Sequence, residues 1–125
     1  MRTWKGRMGT ALTATLLLGL LAGGCGKREH YGAALALGRT TAVRDVLAEP
    51  ARFDGQTLRL QGRIETECPS GCWFKLTDGG PALHVDLAPA GLAIPQKVGS
   101  TVTVEGALKV VDGTPELHAS GLELR

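Results

Sequence analysis

Two cysteines carry the first hint of chemistry in this chain. Cys68-Pro69-Ser70-Gly71-Cys72 sets two thiols four residues apart across a tight loop. Such a pair has three uses. In an oxidising compartment it closes as a disulfide, worth about 2 kcal/mol for so short a loop. As thiolates it chelates Cu or Zn. Or it exchanges disulfides, although reactive pairs are normally Cys-X-X-Cys at a helix N-terminus, one residue tighter than here. The metal reading recruits His84, one hairpin away, as a third ligand; His118 on the last strand is a further candidate, harder to place. A second set of residues suits ligand contact. Arg59 and Arg63 point the same way along an alternating segment. Trp73 and Lys75 offer a stacking surface beside a positive charge. With His84, these make five ligand-binding candidates. No serine sits in a nucleophile elbow and no phosphate-cradling glycine pattern precedes a helix, so no catalytic residue is assigned and a non-enzymatic role is expected.

The elements that position these residues begin near Thr40. A threonine at 40 or 41 can cap a helix, and Val43, Val46 and Leu47 form one apolar stripe with Asp45 in the first turn. Pro50 stops that helix near Glu49, and Asp54-Gly55 makes a turn. The period then changes to two. Leu58, Leu60, Gly62 and Ile64 alternate with Arg59, Gln61, Arg63 and Glu65, which predicts a long half-buried strand with a bulge or bend at Gly62. Trp73 to Thr77 is a second strand, Asp78 to Pro81 a hairpin turn, and Ala82 to Leu87 a third strand with His84 and Asp86 outward. Residues 88–100 hold two prolines and two glycines and read as a loop whose Leu92, Ile94 and Val98 plug the core. A fourth strand follows with Gly106 in mid-run. A turn at Asp112-Gly113 leads to a fifth strand that slips at Gly121. Five short antiparallel strands with one N-terminal helix predict an all-β, five-stranded barrel.

This order, with a central glycine in the first and fourth strands, resembles the OB-fold. The stretches DVLAEPARFDGQTLRLQGRI, CPSGCWFKLTDG and LAIPQKVGSTVTVEGALKV are similar to small bacterial lipoproteins and periplasmic proteins with OB-fold, nucleic-acid-binding-like domains. The resemblance implies a barrel over about residues 42–124. It also implies a ligand site formed by the loop between the first two strands and the adjoining sheet face. The cysteine spacing, with proline second, is similar to that of copper-delivery proteins of the Sco family, whose thioredoxin-like fold is not matched here.

The first 25 residues read as an address. Arg2, Lys5 and Arg7 precede an uncharged stretch centred on Leu16 to Leu21, and Leu21-Ala22-Gly23-Gly24-Cys25 closes it. This resembles a bacterial lipoprotein signal, with Cys25 as the lipidated residue. Acyl chains on it would anchor the protein at about 0.8 kcal/mol per buried CH₂. Gly26 in place of Asp implies the outer rather than the inner membrane, facing the periplasm. The expected organisation is a signal over 1–24, a lipidated cysteine and flexible tether over 25–40, and a barrel over 41–125. With Cys25 consumed, Cys68 and Cys72 are an even remainder, and the disulfide is the first of their three readings. Removing Arg2, Lys5 and Arg7 from the 14 basic residues leaves 11 against 12 acidic ones. Nucleic acid is therefore disfavoured as a partner, and an envelope protein or a small ligand is expected.

Overall fold

The computed structural model describes residues 27–125. The signal segment and Cys25 lie outside the described residues. Six strands and two short helices follow one another as β1 (Glu29–Gly32), α1 (Val43–Ala48), α2 (Pro50–Phe53), β2 (Thr57–Glu67), β3 (Trp73–Thr77), β4 (Leu83–Asp86), β5 (Thr101–Val111) and β6 (Thr114–Leu124), with one 3₁₀ turn over Ala88–Ala90.

The long strands bend, and that closes the sheet. The first half of β2 pairs antiparallel with β5, from Thr57↔Ala107 to Arg63↔Thr101, and its second half pairs with β3 from Arg63↔Thr77. β3 pairs with β4 in a hairpin, β4 runs parallel to β6, and β6 returns antiparallel to β5. The circuit β2-β3-β4-β6-β5 is thus a closed five-stranded barrel, in which each strand has a neighbour on both sides over at least part of its length. Gly62 and Gly106 permit the tight crossings: a Cβ on Gly62 would overlap the Thr77 carbonyl, and one on Gly106 the His118 carbonyl. The β5–β6 register shifts between Glu105 and Gly106, where Ser120 of β6 is left over, so the slip expected near Gly121 falls one residue earlier.

Inward positions fill the barrel by alternation. Leu60, Ile64, Phe74, Leu76, Leu83, Val85, Val104, Leu117 and Leu122 are buried, and Val43 and Val46 of α1 join the same core. Pro50 at the first position of α2 turns the expected single helix into two short ones. Neither threonine caps α1; Ala42 is its N-cap, and Thr41 N donates to Arg59 O at 2.8 Å. In the 88–100 connection Ile94 enters the core and Leu92 packs against it, but Val98, expected to plug the end, is 61% exposed.

The stretch expected to be a tether departs most from expectation. Glu29–Gly32 is a strand on β6, from Glu29↔Leu124 to Gly32↔Gly121. The physical reason is the unpaired flank of β6 beyond its contact with β4, which offers backbone groups that need partners. Tyr31 packs partly against the core, and Ala33 N donates to Ser120 O at 2.9 Å. Beyond it, both oxygens of the buried Glu105 carboxylate accept backbone N–H groups, from Ala36 at 2.8 Å and Leu37 at 2.9 Å. Four residues of strand are too few to show a period, and the partners lie some seventy to ninety residues away in sequence.

Candidate functional site

Alternation on β3, β4 and β6 turns one set of side chains out of the barrel, and the register aligns them in two rows. Trp73, Asp86 and His118 stand side by side across the three strands. Lys75, His84 and Glu116 form the next row, which Lys109 of β5 extends beside Glu116. Arg63, paired with Thr77 on β3, is exposed at the far end of the same face. Three of the five expected ligand-binding residues, Trp73, Lys75 and His84, therefore share the centre of one surface, with Arg63 at its margin.

Arg59 is elsewhere. Its Nη1 donates to Leu37 O at 2.6 Å and lies 3.9 Å from the Glu105 carboxylate. The guanidinium is spent on fixing residues 36 and 37 to the barrel. Strand periodicity put Arg59 on the outer face correctly, but it could not show that another part of the chain covers that face.

The electrostatics of the two rows are mixed. The Trp73 and His84 rings lie 5.4 Å apart between centroids and tilted by 38°. Burial, and after it the positive charge of Lys75, holds His84 below the usual imidazole range, against the opposing pull of Glu116 and Asp86. His84 is accordingly neutral at pH 7. His118 Nε2 lies 2.7 Å from Glu116 Oε1, and Asp86 Oδ1 accepts the Ala88 backbone N–H at 3.1 Å. Asp86, Glu116 and His118 each offer one ligand atom within 4.8 Å of the others.

The cysteine loop flanks this face at the start of β3. Cys68 N donates to Trp73 O at 2.9 Å, Ile94 N donates to Gly71 O at 3.1 Å, and Gln96 Nε2 donates to Cys68 O at 2.9 Å. Gly71 has φ +75°, and a Cβ there would overlap Ile94 O, so only glycine fits. The thiols are free, with their sulfurs 3.0 Å apart, and Ser70 Oγ lies 3.1 Å from Cys68 Sγ. Hydrogen bonds from the Ser70 hydroxyl first, and then from Cys72, lower the Cys68 thiol to about 6. Cys68 is thus largely thiolate at neutral pH.

The three ligands of the sequence-level metal reading do not converge. Cys72 extends the β3 ladder, its carbonyl accepting from Leu87 N at 2.9 Å, so it falls in step with buried Phe74 rather than with outward Trp73. His84 is on the outward side. Among the described residues the converging ligand group is Asp86, Glu116 and His118, without a cysteine. His118 was a candidate from sequence; Asp86 and Glu116 were missed as ligands. The available signal was the pair His84-Val85-Asp86 and Glu116-Leu117-His118, two ligand-type residues flanking an apolar one in each strand.

A groove of about 610 Å³ lies away from this face. Leu37, Thr41, Asp45, Arg52, Phe53 and Arg59 are among its walls. The Arg52 guanidinium sits 5.4 Å from the Phe53 ring centre there.

Comparison with solved structures bears on the barrel as a whole. The hypothetical protein ygiW from E. coli superposes with a TM-score of 0.56 over 70% of this chain and 91% of its own, at 17% identity. Asparaginyl-tRNA synthetase from Pyrococcus horikoshii matches with a TM-score of 0.57 at 23% identity, over 68% of this chain. Its complex with asparaginyl-adenylate gives 0.58 at 22% identity. This chain spans about a fifth of the synthetase, 22% of its length. The domain is an OB-fold barrel. Its parallel β4–β6 closure and the two loops at the ends of β2–β3 and β5–β6 follow that architecture. At these identities the likeness is one of fold. No family model and no curated protein matches the sequence.

Proposed function

We propose that this protein is a non-enzymatic OB-fold binding module, tethered outside the cytoplasm by lipid on Cys25, that takes an envelope protein or a small ligand on the outward face of β3, β4 and β6. One observation carries the reading. The register gathers Trp73, Lys75, His84, Asp86, Glu116 and His118 into two adjacent rows on the sheet face that OB-folds use for ligands. The pinned Cys68–Cys72 loop forms one wall beside it. A disulfide between the two thiols fits an extracytoplasmic location and would stiffen that wall.

The face does not suit a phosphate backbone. Single-strand binders pair stacking aromatics with a continuous basic groove. Here Asp86 and Glu116 interrupt the positive charges of Lys75, Lys109 and Arg63. A partner of mixed polarity, presenting both donors and acceptors, fits better.

The test is site-specific photo-crosslinking in intact cells. A photoreactive residue at Trp73 or Lys75 is expected to give a discrete adduct that the same residue at Arg52 or Asp112 does not. Equal yields at all four positions, or none at 73 and 75, would overturn the assignment of the face. Palmitate labelling tests the tether: the wild-type chain is expected to incorporate label and Cys25→Ala to lose it, and label retained in Cys25→Ala would refute lipidation there.

A further inference from the structure

The parallel pairing of β4 with β6 does something to the face that neither strand does alone. It sets His84 beside Glu116 and Asp86 beside His118, so four ligand-type side chains occupy a two-by-two patch. At three of the four corners of that patch, donor atoms lie within 4.8 Å of one another. We propose that Asp86, Glu116 and His118 bind a divalent transition-metal cation, with the fourth coordination position open. The inference rests on the reading of this face as a binding surface, and it names what the surface holds.

The donor set and its geometry fit such an ion. One imidazole and two carboxylates suit a borderline cation such as Zn²⁺ rather than Cu(I), which prefers sulfur. Bonds of about 2.1 Å in a tetrahedral shell place donors roughly 3.4 Å apart. Glu116 and His118, at 2.7 Å, open to that spacing, and Asp86 closes by little more than about an ångström, both within reach of side-chain torsions on a fixed backbone. The Ala88 N–H orients Asp86 through Oδ1. The 2.7 Å contact of Glu116 Oε1 with His118 Nε2 brings two donors together and is replaced by their bonds to the ion. The ion takes the Nε2 lone pair of His118 once the proton there has moved to Nδ1 or to solvent. The remaining position accepts water or an atom of the bound partner.

Two cations bear on the site. Lys75 of β3 faces His84, and Lys109 of β5 faces Glu116. Both stand in the His84–Glu116 row, so they flank the site on its Glu116 side, while Asp86 and His118 supply its other two donors from the neighbouring row.

Zn²⁺ titration of the full chain by calorimetry at pH 7.5, with circular dichroism to confirm folding, tests the proposal. The wild type is expected to bind one Zn²⁺ per chain. His118→Ala and Asp86→Asn are each expected to weaken binding tenfold or more, and Lys75→Gln to strengthen it. Cys68→Ser/Cys72→Ser is expected to change it less than twofold. Absence of saturable binding by the wild type, or binding lost with the cysteines and kept in His118→Ala, would overturn the proposal. Crosslinking from residues 73 and 75 that persists after such a failure would leave the face standing without its metal.

Discussion

Ser70 decides how Cys68 behaves. Its hydroxyl is the first of the groups that bring the thiol down to about 6, with Cys72 second. Below that value Cys68 is protonated and slow; above it the thiolate reacts. In reduced protein, the rate of iodoacetamide labelling at Cys68 is expected to rise through a midpoint near pH 6, and Ser70→Ala is expected to move the midpoint upward. A midpoint in the ordinary range of about 8.5 in the wild type would contradict the geometry. At this scale the sequence was legible where chemistry is local. The Cys-Pro-Ser-Gly-Cys turn, and the outward places of Trp73, Lys75 and His84, follow from turn residues and alternation. The Asp86–Glu116–His118 group was only half legible: each strand shows its own ligand-type pair, but their meeting depends on a parallel pairing between strands some thirty residues apart.

Strands and their covers behave differently from single residues. Glu105 stands in the middle of β5, on the outward side, yet it is only 5% exposed because residues 36 and 37 lie over it. Glu105→Ala would leave two backbone donors without their acceptor and remove the carboxylate 3.9 Å from the Arg59 guanidinium. A loss of about 2–3 kcal/mol in urea unfolding is expected, with faster hydrogen exchange at Ala36 and Leu37. Unchanged exchange at those amides would show that the clamp does not hold the segment. Gly121 gives the same cover its closeness: a Cβ there would overlap the Ala33 carbonyl. The five barrel strands were readable from period and turns. β1 was not, since its four residues carry no pattern and its stability comes from an edge that only the folded β6 provides.

For the molecule as a whole, charge argues against a phosphate backbone as the partner. The chain without its first seven residues is close to neutral, and the face that the OB-fold offers to ligands carries both signs. Titration with a short single-stranded oligonucleotide is expected to show no saturable binding at about 0.15 M salt, where true phosphate contact would persist and weaken steeply as salt is added. Tight, salt-sensitive binding would restore the nucleic-acid reading.

The docking of β1 on β6 also sets how far the barrel can stray. Were the chain anchored at Cys25 as proposed, the four peptide steps to the first paired residue, Glu29, would span at most about 14 Å. The module would then be moored rather than leashed. It would sweep a shallow layer above the lipid headgroups, and whatever it recognises would have to come down to the bilayer to be met.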